Sequence, residues 1–251
     1  MTAYPLLPRH SLLPDLERSR AVLVGCDDGV LHHPSIERPE QLTRELAEAL
    51  TSPNAAMAFR ARYTEVLHHP AGMLDAVRNA AEAATDVLLF YYAGKSLPDP
   101  RAIAEIMSTS RAARPVVILD CGNGGGAMNY FTNLVPIASV LAGRDGFSLT
   151  LDPFTPSLVQ GLSRGVWEGP EMLDLVALRS AIEASFAETR SYVESEYILG
   201  PSDLMMRLPF RRLALGINPS LSREGCVSDR RPTQRTVELP RDEAAVFEEN
   251  S

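Results

Sequence analysis

Residues 86–93, DVLLFYYA, decide the fold, because they form a continuous apolar and aromatic run that stops at Gly94. Continuous rather than alternating hydrophobicity is typical of a strand that helices cover on both faces. Two further runs share this pattern: residues 21–26, AVLVGC, and residues 115–120, PVVILD. Together these runs predict the centre of a mainly parallel sheet.

The segments between these runs repeat apolar residues at helical spacing, as Leu42, Leu46 and Leu50 do. Helices are predicted on this basis at residues 39–50, 73–84, 100–108, 158–162 and 172–186. Shorter apolar runs predict further strands at residues 63–67, 135–141 and 212–217. Because strands alternate with helices, the predicted fold is a three-layer α/β/α sandwich with a mostly parallel central sheet.

The length and composition suit one globular domain, with 251 residues of which 45% are hydrophobic and 22% charged. We assign residues 1–18, rich in Pro and Leu, to an N-terminal extension, and residues 19–217 to the domain itself. From residue 218 to residue 251, Ser, Arg, Pro and Glu dominate. That composition predicts a tail that is disordered or bound to a partner.

Charge and cysteine content argue against several classes of function. A net charge of -8 disfavours a general affinity for nucleic acid or for anionic membranes. The cysteines, Cys26, Cys121 and Cys226, form no C-x-x-C pair, so neither a disulfide framework nor a zinc site is expected. No apolar run approaches the roughly 18 residues of a membrane span, and the first residues lack the features of a signal peptide. We therefore expect a cytoplasmic protein without a metal or cofactor.

Three segments in order resemble bacterial caspase-like peptidases. Residues 19–25, SRAVLVG, are similar to the opening strand of that family. Residues 86–94, DVLLFYYAG, resemble the strand before its catalytic histidine, usually written YYAGHG, and residues 110–121, SRAARPVVILDC, resemble the strand before its nucleophile, usually LDCCxSG. The resemblance spans roughly residues 19–217 and implies a caspase-like form of the α/β/α sandwich.

The residues that would carry the protease chemistry are replaced. A peptidase of this kind needs a thiolate to attack the carbonyl and an imidazole to take and return the proton. In this chain the histidine position holds Lys95 and the nucleophile position holds Gly122. Glycine has no nucleophile and an ordinary lysine is protonated at neutral pH, so we expect a pseudoenzyme with no catalytic residues.

Two other features of the same region bear on substrate binding. Asp120 stands where family members specific for basic residues use an acid to hold the substrate side chain, so the resemblance implies a substrate-binding residue. The alternative interpretation is a structural Asp that hydrogen-bonds the local backbone at the end of the strand. Only residues 96–114 lie between the strand before the histidine position and the strand before the nucleophile position, which is room for one helix. The resemblance implies a longer segment with a hairpin there, so one wall of a peptide cleft is expected to be missing.

Several residues support alternative readings. Cys121 is the fallback nucleophile of a divergent cysteine peptidase, although adjacent strand residues face opposite sides and Cys121 is expected to be buried. The glycine-rich loop after the strand fits G-x-G-x-x-A and suggests a third possibility, a sensor that binds a nucleotide or another small ligand; its residues are Gly122, Asn123, Gly124, Gly125 and Gly126. The adjacent histidine pairs at residues 32–33 and 68–69 are expected to be turn residues, because neighbouring imidazoles diverge.

The favoured hypothesis is a catalytically inactive caspase-like domain that binds a partner protein. The resemblance implies work beside an active protease or a signalling component in a bacterial stress, cell-death or defence system. Caspase-like domains commonly pair through an edge strand, so a homodimer is a further possibility.

Overall fold

Five parallel strands and one antiparallel strand form the central sheet. The computed structural model describes residues 12–26, 39–53, 55, 58–143, 154–192, 204–207 and 213–221. The strands of this sheet, in chain order, are β1 (Arg20–Cys26), β2 (Thr64–Leu67), β3 (Val87–Gly94), β4 (Arg114–Cys121), β5 (Ser139–Gly143) and β7 (Leu204–Arg207). Their order across the sheet is β2-β1-β3-β4-β5-β7, and β7 alone runs antiparallel, against β5.

Helices cover both faces of this sheet. They are α1 (Pro39–Thr51), α2 (Met73–Ala83), α3 (Pro100–Ser108), α4 (Gly124–Leu134), α5 (Phe154–Arg164) and α6 (Leu175–Tyr192). One hydrophobic core joins alternate strand residues to α1, α5 and α6, and the other joins the remaining strand residues to α2, α3 and α4. The predicted three-layer α/β/α sandwich is therefore confirmed. None of the helices in the described ranges is both long and apolar enough to cross a membrane.

The centre of the sheet explains why residues 86–93 dominate the sequence signal. β3 is hydrogen-bonded to β1 on one side and to β4 on the other. Its residues from Val87 to Ala93 are all buried, because successive side chains enter the two cores in turn. Tyr91 enters the core formed with α1, α5 and α6, whereas Tyr92 enters the core formed with α2, α3 and α4.

Helix α1 lies directly on β1 because residue 25 has no side chain. A Cβ atom on Gly25 would collide with the carbonyl oxygen of Pro39 and with the hydroxyl oxygen of Thr43. That hydroxyl donates a hydrogen bond of 2.6 Å to the Pro39 carbonyl inside the first turn of the helix. Gly25 therefore sets how closely the start of α1 approaches the carboxyl end of β1.

A largely buried ion pair fixes the N-terminal segment at the opposite, amino end of the sheet. Arg114 and Asp86 face each other with N–O distances of 2.7 to 3.0 Å, and each side chain is 13% exposed. Arg114 also donates to the carbonyl oxygens of Leu12, at 3.1 Å, and Leu13, at 3.0 Å. Asp86 accepts the backbone N–H of Asp15 at 2.7 Å. The described part of the N-terminal extension is thus held against the domain by charge-assisted hydrogen bonds.

A second, two-stranded sheet pairs β6 (Met172–Asp174) with β8 (Ala214–Ile217) in antiparallel fashion. Asn218 follows β8 and is buried, and its side chain bonds the backbone of Val166 and Pro170 at 2.9 to 3.0 Å. Asn218, which we assign to the tail, therefore packs against the turn after α5. The tail beyond Leu221 lies outside the described residues.

Most predicted elements match the observed ones, and the exceptions are specific. The strand predicted at residues 135–141 begins at Ser139, and the helix predicted from residue 172 begins at Leu175, after β6. The strand predicted at residues 212–217 exists as β8 but belongs to the small sheet. Helix α4 and strand β7 were not predicted. As expected, the interval of residues 96–114 holds the single helix α3.

Candidate functional site

The two positions that the sequence resemblance assigns to the protease dyad, Lys95 and Gly122, meet at the carboxyl edge of the sheet. β3 and β4 are hydrogen-bonded neighbours, with Gly94 opposite Cys121 at their ends. One residue further along, the backbone N–H of Gly122 donates to the carbonyl oxygen of Lys95 at 3.0 Å. Open parallel sheets bind their ligands at this edge. The structure therefore brings Lys95 and Gly122 side by side where a reaction site would lie.

The loops after these two strands are tied together by an amide side chain. The Oδ1 atom of Asn123 accepts the backbone N–H of Leu97 at 2.8 Å, and Nδ2 of the same side chain donates to the Leu97 carbonyl at 3.3 Å. With the bond between Gly122 and Lys95, three hydrogen bonds join the two loops. We call this set the strand-end clasp. It satisfies backbone groups that would otherwise face the edge of the sheet.

The glycine run is the start of a helix rather than a loop. Residues 124–126 form the first turn of α4, and Gly124 and Gly125 are buried. The prediction of a loop is therefore wrong for residues 124–126. Two groups of the candidate ligand loop already serve the strand-end clasp, the N–H of Gly122 and the side chain of Asn123.

Asp120 belongs to a hydrogen-bonded chain that reaches into the core. Its carboxylate accepts the hydroxyl of Thr155, on α5, at 2.5 Å. The Thr155 oxygen lies 2.7 Å from the hydroxyl oxygen of Tyr91, and both of these residues are fully buried. Because Thr155 donates its one hydroxyl proton to Asp120, Tyr91 is the donor in its contact with Thr155. One partner of Asp120 is thus a side chain of α5.

Cys121 lies in the core formed with α2, α3 and α4. It is 8% exposed and shares that core with Met128 and Phe131 of α4. Its neighbour Asp120 faces the opposite layer, as alternation along a strand requires. The expectation that Cys121 is a small buried apolar residue agrees with this position.

Gly94 makes room for a tyrosine hydroxyl at the same edge. The hydroxyl of Tyr92 donates to the carbonyl of Ser96 at 2.8 Å. A Cβ atom on Gly94 would lie 3.0 Å from that hydroxyl oxygen and 2.9 Å from the carbonyl oxygen of Cys26. A side chain at residue 94 would therefore compete with the Tyr92 hydroxyl and with β1 for the same space.

The other side chains singled out in the sequence are those of Lys95, Cys26 and the histidines. Lys95 is exposed at the end of β3, and Cys26, which ends β1, is partly buried. Of the histidines, the structure describes His68 and His69 in the turn after β2, where the Nδ1 atom of His68 is buried without a hydrogen-bond partner among the described residues. The described ranges contain no group of three or more His, Cys, Asp or Glu side chains placed to hold a metal ion. His32, His33 and Cys226 lie outside the described residues.

The contacts that shape this edge were only partly visible in the sequence. Asn123 after a strand end is a residue type that caps turns, so its loop contact had a local signal. Tyr91 and Thr155 are 64 residues apart, and nothing local in the sequence pairs them.

No protein-family model matches this chain, and no curated protein matches it either.

Proposed function

We propose that the chain is a catalytically inactive, caspase-like domain that acts by binding a partner protein. The observation that carries the proposal is the contact between Lys95 and Gly122. The sequence resemblance alone assigns these positions, 27 residues apart, to the dyad. Their backbones are joined by a hydrogen bond at the ends of adjacent strands. An ammonium and a glycine at this place offer neither a nucleophile nor a base.

The environment of the edge argues against an acyl-transfer role. The strand-end clasp uses the N–H of Gly122 and the side chain of Asn123 to hold the two loops together. In an acyl-transfer site, free N–H groups near the nucleophile stabilise the oxyanion. Here the N–H that follows Cys121 is committed to a carbonyl of the neighbouring loop, so it is not available for that task.

The decisive experiment is a peptidase assay of the full chain with peptide libraries, alongside labelling by a thiol-reactive probe. We expect no turnover above the background of a Cys121→Ala variant. Specific cleavage that the Cys121→Ala substitution abolishes would overturn the proposal and establish the divergent peptidase instead. Partners are identified by pulling down the tagged full chain and analysing the retained proteins by mass spectrometry, with co-purification of an intact protease or signalling protein as the expected result.

A gain-of-thiol experiment tests whether the two positions are equivalent to the lost dyad. In a Cys121→Ser background, Gly122→Cys places a thiol next to Lys95. The nearby ammonium favours the thiolate, so we expect its pKa to fall below the usual value of about 8.5 and to rise again when Lys95→Gln is added. The measurement is the alkylation rate of residue 122 against pH, followed by peptide mass spectrometry. An unchanged pKa in the Lys95→Gln variant would show that the two side chains do not share a site.

Two alternatives stay predictions with their own tests. Catalysis by Cys121 requires an accessible thiol with a depressed pKa, which its alkylation rate against pH reveals. A ligand sensor built on Gly122–Gly126 requires that a nucleotide raise the melting temperature, because a ligand that binds only the folded state stabilises it.

A further inference from the structure

Three arginines surround one glutamate at the amino end of the sheet, far along β1 from the edge that carries Lys95. Glu17 accepts a hydrogen bond of 3.1 Å from Arg60, a second from Arg62 and a third, of 3.1 Å, from the hydroxyl of Tyr63. Arg20 lies with its guanidinium carbon 3.8 Å from the centre of the Tyr63 ring, and Arg62 lies 4.5 Å from it. We call these five residues the arginine cluster. Positive charge exceeds negative charge in it, although the chain as a whole is acidic.

The positions of the arginines do not all depend on the glutamate. Arg20 is fixed by the backbone, since its Nη1 donates to the carbonyl oxygens of Glu17 and Ser19 at 2.8 Å each. The ring of Tyr63 orients Arg20 and Arg62 by cation–π contact. A guanidinium held in this way is a preorganised partner for a carboxylate, and it would remain in place if another acid replaced Glu17.

A cavity of about 530 Å³ opens beside the cluster. Its polar walls are Glu17, Arg60, Arg62 and Thr51. Its apolar walls are formed mainly by the exposed Pro53 and Ala61, since Phe59 is only 1% exposed. An occupant that suits both kinds of wall carries an acidic group next to an apolar one. Acidic and apolar residues adjacent in a peptide meet this requirement, whereas nucleic acid is repelled by the net charge of -8.

Glu17 belongs to the N-terminal segment, and its side chain can leave the arginines when another acidic group binds them. Its side chain is 51% exposed, while its backbone N–H is held separately by the carboxylate of Asp15 at 2.9 Å. A rotation of the Glu17 side chain would free Arg60 and Arg62 without moving the segment. The hydrogen bond from Arg62 lowers the pKa of Glu17, so this carboxylate stays charged at neutral pH.

We propose that the arginine cluster is a docking site for an acidic segment of a protein partner, in which an Asp or Glu lies next to an apolar residue, and that Glu17 occupies the acidic position until the partner binds. This names the partner chemistry for the binding role proposed above, but it uses no residue of the edge that carries Lys95 and Gly122. Either idea can therefore fail while the other stands.

The test measures binding of the full chain to labelled peptides by fluorescence anisotropy. The probes are acetylated and amidated pentapeptides with a central Glu or Asp flanked by each of the apolar residues, and counterparts with Gln or Asn at the centre. Replacing the internal competitor by Glu17→Gln is expected to tighten binding roughly threefold to tenfold, whereas Arg60→Gln weakens it by a similar factor. The essential result is that the two substitutions change the affinity in opposite directions. If the ion pair were purely structural, both substitutions would weaken peptide binding.

Matched variants separate docking from general charge effects. Asp75→Asn and Arg78→Gln make the same charge changes at an exposed pair on α2 and are expected to change the dissociation constant less than about twofold. Lys95→Gln leaves binding unchanged if the site is the arginine cluster. Far-ultraviolet circular dichroism checks that each variant is folded.

The proposal is overturned if no acidic peptide binds either the natural chain or the Glu17→Gln variant, or if Glu17→Gln fails to tighten binding. It is also overturned if the Gln and Asn counterparts bind as well as the acidic peptides. Displacement of the peptides by inorganic phosphate at equal concentration would reassign the cluster to a free anion.

Discussion

Asp86→Asn is expected to destabilise the fold strongly, because it removes the charge that balances Arg114. The two side chains make three contacts of 2.7 to 3.0 Å and are each 13% exposed, so little water is available to compensate. Removing one partner of a buried ion pair typically costs about 3 to 5 kcal/mol. Arg114 keeps its bonds to the carbonyls of Leu12 and Leu13, which places the expected loss at the lower end, about 3 kcal/mol. For a chain of this size, that loss lowers the melting temperature by about 6 to 12 °C.

The assay is urea unfolding followed by far-ultraviolet circular dichroism, with the free energy of unfolding extrapolated to water. Asp75→Asn is the control, since it breaks an exposed pair with Arg78 and is expected to cost at most about 0.5 kcal/mol. The double variant Asp86→Leu with Arg114→Met removes both charges and should lose less than the sum of the single variants. A loss below about 1 kcal/mol for Asp86→Asn, similar to that of the control, would refute the reasoning.

Three further predictions concern packing, hydrogen bonding and pH. Gly25→Ala is expected to lower the free energy of unfolding, measured in urea, by about 3 kcal/mol. The added Cβ would lie 2.8 Å from the carbonyl carbon of Pro39, and the backbone cannot move aside cheaply. A loss under about 1 kcal/mol would contradict this. Tyr91→Phe removes the buried donor to Thr155 and should cost about 1 kcal/mol in the same assay, and an unchanged midpoint would argue against the chain of bonds to Asp120. The pKa of Glu17 is lowered in the folded chain, first by the hydrogen bond from Arg62. Its stabilising contribution is therefore full above the unfolded pKa of about 4.3 and is lost as pH falls through the folded pKa. The difference in melting temperature between the natural chain and Glu17→Gln should shrink in acid and stay constant from pH 6 to 8.

The central strands could be predicted because their signal is local. A strand buried on both faces is apolar throughout, so β1, β3 and β4 stand out, and each was placed to within one residue at both ends. Once β3 and β4 are adjacent and parallel, their carboxyl ends, and with them Lys95 and Gly122, are expected at one edge of the sheet. That expectation needed only the direction and adjacency of two strands.

The missed elements lack such a signal or carry a misleading one. Helix α4 begins with Gly124, Gly125 and Gly126, which are poor helix formers, and its buried face becomes visible only from Ala127 onward. The start of α6 differs, because its sequence carries a helix N-cap: Asp174 accepts the backbone N–H groups of residues 176 and 177. Strand β7 pairs with β5 across more than 60 residues, and a pairing of that range is set by tertiary packing.

The alternation of side chains along β4 limits which chemistry its end can support. Asp120 turns toward α5, where its carboxylate accepts the hydroxyl of Thr155. Cys121 turns toward the layer of α4 and shares that core with Met128 and Phe131. A substrate on the α5 side of the edge therefore meets the carboxylate but not the thiol. A substrate on the other side would have to displace α4, whose apolar residues fill that layer. For Cys121 to attack a peptide, part of the core must first open, so alkylation of this thiol should be limited by unfolding and should accelerate with urea. A fast reaction that urea leaves unchanged would mean that the thiol is reached from the folded surface, and the assignment of Cys121 to the core would have to be given up.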